Sequence, residues 1–259
     1  MVKVCVVFAA GTNCDQETVY AFERVGARAE TVHINRLKKR PELLRQYQIF
    51  VLPGGFSYGD YIASGRVLAN ELKHHLADEI GRFLESGKLI LGICNGFQVL
   101  VKCGLLPTLE RPFEPQTVTL ATNDSARYED RWVFLKRESS PCVFTANLPE
   151  IVQLPVAHTE GKFIPDSNKV LKQLKANNQI VLRYVTARGE KAKYPDNPNG
   201  SIEGIAGICD PTGRIFGLMP HPERYIQIEQ HPRWRREDLT KPDGIAIFEN
   251  AVRYTQENL

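Results

Sequence analysis

No run of apolar residues in this 259-residue chain approaches the roughly 18 needed to cross a bilayer as a helix. No membrane partner is expected. The opening "MVKVCVVFAAGTNC" lacks the charged-then-apolar build of a secretory leader and reads directly as a strand. None of the six cysteines forms a C-x-x-C pair, so zinc spacing is missing and no metal site is expected. A cytoplasmic setting with reduced thiols follows as the expectation. Charge of one sign is not in excess: 33 basic residues face 30 acidic ones, for a net +3, too even to imply a nucleic-acid partner, and none is expected. The one basic cluster, "HPRWRRED", is short and reads as a solvated loop that includes His231. The phosphate-loop patterns G-x-G-x-x-G and G-K-[ST] are absent, as is any acidic cluster spaced for magnesium.

What is present is an ordinary globular composition, 42% hydrophobic and 24% charged. The first hundred residues alternate strand and helix signals. "KVCVVFA", "ARAETVHI", "QIFVLPGG" and "KLILGI" read as strands. "QETVYAFERVG", "PELLRQY", "GRVLANELKHHLADEIGRFLESG" and "NGFQVLVKCG" read as the helices between and after them, the third as one long amphipathic helix. Such alternation means βαβ units on a parallel sheet. From about Pro107 the pattern changes to short β-rich pieces: "TVTLAT", "RWVFLKR", "IVQLPVAHTEG", "QIVLRYV", "GIAGICD" and "RIFGLMPHPE". These predict antiparallel strands added to the same sheet or packed beside it, before a closing helix in "GIAIFENAVRYTQE". The fold class is therefore α/β: a central, mostly parallel sheet flanked by helices, with added antiparallel strands in the second half. The whole chain, 1–259, reads as one domain.

One thiol stands out. Gly92-Ile93-Cys94-Asn95-Gly96 has the G-x-nucleophile-x-G form at a strand-to-helix junction, where the side chain is held above the sheet edge. A helix beginning near Asn95 aims free N–H groups at the sulfur and favours thiolate, the reactive form. The bland reading is a structural cysteine under a helix. A nucleophile also needs a base and a group to orient it. "MPHPE" supplies His221 and Glu223, two residues apart and so on one side of an extended chain. Alone, that motif is equally a turn with a surface ion pair. "LPGGFSYGD" places Gly54 and Gly55 just past a strand, at the sheet edge where ligands bind. A glycine amide there could face an oxyanion; the alternative is a plain tight turn. Of the other histidines, His74 and His75 read as solvated and His33 as core or edge. Cys14 lies in a loop with no base near it in sequence and reads as structural.

Together these pieces resemble the class I, triad-type glutamine amidotransferases. "PGGFSYGD", "GICNGFQ", "AHTEGKF", "MPHPER" and "GTNCD" narrow the resemblance to the glutaminase components of phosphoribosylformylglycinamidine synthases. The resemblance spans nearly the whole chain and implies a flavodoxin-like fold. It implies Cys94 as nucleophile, His221 as base and then acid, and Glu223 as its orienter. Gly55 and Asn95, with Gly54 in the same turn, would serve the oxyanion, and Gln98 would hold the substrate L-glutamine. His158 and Glu160 would line the site or a partner interface. It further implies a large synthetase subunit that binds ATP and magnesium, a small bridging subunit, and no cofactor in this chain.

Two features depart from the family pattern: segment 225–242 is longer than the compact bacterial form requires, and Ala10 stands where proline is usual. Rival readings are a redox sensor or chaperone of the DJ-1/PfpI type, a binding subunit whose triad is a relic, and the glutaminase of another synthase.

Overall fold

A computed structural model describes residues 1–259. The first half folds as its hydrophobic periods require. Strands β1 (Lys3–Phe8), β2 (Arg28–His33), β3 (Ile49–Leu52) and β4 (Leu89–Ile93) pair in parallel, and β3 and β4 are buried throughout. Continuous apolar runs such as Ile49–Leu52 are what a strand covered on both faces needs. The helices α1 (Asp15–Arg24), α2 (Ile34–Lys39), α3 (Arg66–His75), α4 (Ala77–Glu85) and α5 (Asn95–Cys103) cover that sheet.

The second half extends the same sheet. β6 (Glu129–Arg137), β7 (Ile151–His158), β9 (Ile180–Val185), β10 (Ile205–Cys209) and β11 (Ile215–Leu218) complete nine strands in the order β2-β1-β3-β4-β11-β10-β9-β6-β7. β11 lies parallel to β4, and every pairing beyond it is antiparallel. β5 (Val118–Thr122) and β8 (Glu160–Pro165) form a separate two-stranded sheet, so both anticipated placements of the added strands occur. Helix α6 (Asn168–Ala176) precedes β9, and α7 (Ile245–Asn258) ends the chain. No helix is long and apolar enough to cross a membrane.

Several local expectations are corrected. The long helix is two, broken at Leu76, whose φ of −126° and ψ of 2° leave the helical basin. Leu76 is itself buried, and each helix keeps one buried apolar face, Leu68, Ala69 and Leu72 on α3 and Ile80, Phe83 and Leu84 on α4. "ARAETVHI" ends as a strand at His33, whose Nδ1 accepts the Asn35 amide and caps α2, a helix the periodicity did not reveal. "PELLRQY" forms 3₁₀ turns. "IVQLPVAHTEG" contributes two strands to two different sheets. Within the basic loop His231 is buried, not solvated: its ring meets Trp132 edge-on and Tyr225 at a tilt, and its Nε2 meets Gln153 Oε1 at 2.8 Å. The loop's arginines stay exposed, as expected.

Candidate active site

The ends of β4 and β11 sit side by side, so whatever follows each strand meets the other. Cys94 follows β4, with its amide bonded to the Leu218 carbonyl at the end of β11. Its φ of 50° and ψ of −103° lie outside the basins that L-residues favour. Such strain persists only where the surroundings impose it, and it clusters at reactive centres. Here the surroundings are tight. A Cβ on Gly96 would lie 1.8 Å from the Leu52 carbonyl oxygen, and one on Gly92 would lie 2.8 Å from the Gly96 backbone. The elbow is thus a three-way backbone contact that only glycines permit. The amides of Asn95 and Gly55 have no acceptor within the protein. Asn95 opens α5, so its N–H belongs to the positive end of that helix.

His221 lies three residues past β11, its amide anchored on the Pro155 carbonyl of β7 at 2.8 Å. Residues Pro222–Arg224 form a 3₁₀ turn instead of the extended chain expected, and the turn brings the Glu223 carboxylate onto the imidazole. Nδ1 meets Glu223 Oε1 at 2.6 Å, and both side chains are buried. That leaves His221 Nε2 without a partner in the protein. Burial opposes charge on this ring. The Glu223 carboxylate, and then Cys94 and Cys14, outweigh it and hold the pKa well above the ordinary imidazole range. The Cys94 thiol donates to the Ala157 carbonyl at 3.7 Å, beside the histidine. A thiol, an imidazole with one free nitrogen, and a carboxylate on the other nitrogen are the parts of acyl transfer through sulfur.

The remaining predicted residues separate into distinct positions. Gly54 lies beneath the imidazole, where an added Cβ would stand 2.7 Å from His221 Cε1; its place is to make room for the ring. Gln98 is buried one turn into α5. Its Oε1 accepts from Asn95 Nδ2 at 3.0 Å, and its Nε2 donates to the Glu160 carbonyl. Asn95 also reaches Asp60 and the Ser57 amide, tying the glycine-turn segment to the helix. Glu160 therefore meets this network through its backbone. Burial raises the Asp60 carboxyl above its usual range, and the nearby Glu160 charge adds to the rise.

His158 ends β7, and its Nδ1 faces Asn123 Oδ1 at 3.1 Å. Burial, and then the charge of His221, lower its pKa to about 3, so the ring is neutral and serves as a wall. In the unfolded chain it titrates near 6.5. Between those values the unfolded state binds the extra proton, so His158 costs stability as pH falls from about 6.5 toward 3. His221 has the opposite sign: its stabilisation is full below about 6.5 and lost as pH rises through its raised folded value. Replacing His158 by Gln is expected to flatten the acid side of a urea-stability profile by up to about 1.4 kcal/mol per pH unit. An unchanged slope would mean that another group controls acid unfolding.

The sequence reading missed three neighbours. Cys14, read as structural, lies against His221 and accepts a hydrogen bond from Arg224 Nη2 at 3.1 Å. Tyr128, half exposed, sits within the fields of Cys94, Arg224 and His221. Cys14 and Arg224 fall inside "GTNCD" and "MPHPER", but nothing local says that they meet; only the fold brings all three together at the site.

Comparison with known proteins bears directly on this site. Residues 1–255 match the CobB/CobQ-like glutamine amidotransferase domain. The chain is 48% identical over 259 residues to the phosphoribosylformylglycinamidine synthase subunit PurQ of Dehalococcoides mccartyi, covering 99% of this chain and 98% of that one. It is 44% identical to the subunit of the same name from Methanococcus maripaludis strain S2, covering 97% of each. Among solved structures it matches a chain of PurLQS from Thermotoga maritima at 33% identity and a TM-score of 0.74, with 98% of both chains covered. The glutaminase domain of the Trypanosoma brucei CTPS, 13% identical with a TM-score of 0.59, shares the fold. With sequence likeness this high along the full length of both chains, the chain belongs to the glutamine amidotransferases and, among them, to the PurQ subunits of phosphoribosylformylglycinamidine synthase.

Proposed function

We propose that this chain hydrolyses the side-chain amide of L-glutamine at Cys94 and supplies the ammonia to a synthetase partner. That partner converts formylglycinamide ribonucleotide to the amidine in purine biosynthesis. The observation that carries the assignment of residues is the buried pair of His221 and Glu223, with Nε2 left free beside a strained thiol.

Each step uses groups already placed. The Cys94 thiolate attacks the carboxamide carbon, and the C=O electrons move to oxygen. The Asn95 and Gly55 amides, both lacking acceptors, hold that oxyanion; losing one such donor typically costs about 100- to 1,000-fold in rate. His221 gives its Nε2 proton to the leaving nitrogen, the C–N bond breaks, and a glutamyl thioester remains. His221 then takes a proton from water, which attacks the thioester and releases glutamate and the free thiol. Glu223 keeps Nδ1 protonated throughout. Gln98 and Asn95, locked to each other, offer a rigid rim for the amino-acid end of glutamine. His158 and Glu160 act as wall and backbone anchor.

Ammonia released into water near neutral pH becomes ammonium, which is not a nucleophile. A sheltered handover to a partner is therefore part of the reading, with a large synthetase subunit and a small bridging subunit as the expected partners. ATP and magnesium are assigned to the synthetase, and no cofactor to this chain. The whole chain, 1–259, acts as one domain in the cytoplasm. A redox-sensor reading would explain the elbow but not the carboxylate held on His221.

The test is labelling with 6-diazo-5-oxo-norleucine, a glutamine-mimicking electrophile, in the assembled synthase. A single adduct on Cys94, blocked by glutamine and much reduced in His221→Ala, is expected. An adduct on another cysteine, or none in the assembled complex, would overturn the assignment.

A further inference from the structure

Cys94 is not the only sulfur beside His221. Cys14 sits in the turn from β1 into α1 and is buried. Its amide donates to the Gly54 carbonyl at 3.2 Å, and its carbonyl accepts the Thr18 hydroxyl at 2.6 Å, so its backbone is fixed at both ends. Its Sγ, a ring nitrogen of His221 and a carboxylate oxygen of Glu223 lie within 4.8 Å of one another. A Cβ on Gly54 would come within 3.1 Å of the sulfur and 2.7 Å of the imidazole, so the glycine lets them pack side by side. The thiol hydrogen points to Asn13 Oδ1 at 3.2 Å. The lone pairs are left for Arg224, whose Nη2 donates at 3.1 Å.

Arg224 creates a problem that this contact solves. It follows Glu223 directly, and its half-buried guanidinium feels the Glu223 charge. A guanidinium binds a carboxylate more strongly than it binds a sulfur, and often with two hydrogen bonds. Unoccupied, Arg224 would draw Glu223 away from His221. We propose that Cys14 is a positioning residue for the glutaminase: its sulfur takes the Arg224 hydrogen bond and keeps the guanidinium off Glu223, so that the carboxylate stays on His221. This rests on the triad assigned above.

Several charged or titratable groups act on His221. Glu223 comes from its own turn and Cys94 from the elbow, while Cys14 comes from the β1–α1 turn. His158 lies at the end of β7, and Tyr128 in the loop before β6. Variants are therefore best compared by the His221 titration itself, followed by imidazole NMR, together with kcat and KM of the assembled synthase. Cys14→Ala is expected to lower kcat about tenfold through a small displacement of the base, with KM nearly unchanged, and to move the His221 titration to lower pH. Cys14→Ser, whose hydroxyl accepts the same bond, is expected to restore most of both. Cys14→Ala combined with Arg224→Gln removes the competitor and is expected to recover most of kcat, while the part of the His221 shift that Cys14 itself supplies stays lost. Should Cys14→Ala fail to fold, Arg224→Gln alone decides: it is expected to retain activity, because nothing then competes for Glu223.

An unchanged His221 titration in Cys14→Ala would overturn the proposal. So would a double variant no better than the single one, or an Arg224→Gln enzyme that loses tenfold. Failure of the parent chain to label at Cys94 would instead overturn the triad assignment, so the two failures are distinguishable.

Discussion

Changing Cys94 to Ser is expected to lower glutamine hydrolysis by about 10⁴-fold or more, while the folded chain keeps its stability. The size follows from the loss of the covalent route; removing a nucleophile that works as a unit with its base costs about as much as removing the whole unit. A hydroxyl in place of the thiol is a far weaker acid, and the base would have to remove its proton during attack. Serine fits the same φ of 50°, and the contacts at Gly92 and Gly96 are untouched. The checks are glutamate release and a urea midpoint on the same preparation. Ammonia-dependent synthesis by the assembled synthase should survive, because free ammonia bypasses this chain. Retained glutamine hydrolysis in Cys94→Ser would place the nucleophile elsewhere, and Cys14 would be the first alternative.

The second large effect is structural. Gly96→Ala puts a methyl group 1.8 Å from the Leu52 carbonyl oxygen, closer than any non-bonded contact allows. The obstacle is backbone at the end of a fully buried strand, not the tip of a flexible side chain. Either β3 or the first turn of α5 must move. We expect a loss of about 3 kcal/mol in unfolding free energy, the upper range for overpacking a rigid interior. Activity should fall with it, since α5 carries the Asn95 amide. Urea denaturation checks the first effect, and labelling of Cys94 on the fraction that stays folded checks the second. A variant as stable as the parent would mean that the β3–α5 contact is softer than its geometry implies.

How much of this was legible in the sequence depends on range. The elbow could be read because all its demands fall within five residues: a buried strand, a glycine on each side, and a helix start. The pairing of His221 with Glu223 was foreseen from their spacing, although the geometry that makes it is a 3₁₀ turn. Helix α6 was missed despite its signals. Ser167 caps it by accepting from the Val170 amide, and Val170 and Leu174 lie four apart on its buried face. The strand-rich surroundings hid it. The break at Leu76 had no proline or glycine to announce it. Cys14, Arg224 and Tyr128 were out of reach for another reason. Cys14 and Arg224 are 210 positions apart in sequence, and no periodicity reports a contact of that separation.

The pairing of β4 with β11 has a consequence for the life of the chain on the ribosome. Synthesis delivers the thiol with the first, parallel half. The base arrives only after the whole antiparallel half, on the strand inserted last beside β4. Until then the thiol has no imidazole to share its proton. A nascent or truncated chain without β11 therefore holds the thiol but neither its base nor the Leu218 carbonyl that anchors the Cys94 amide, and hydrolysis begins only when the last long-range strand pairing closes.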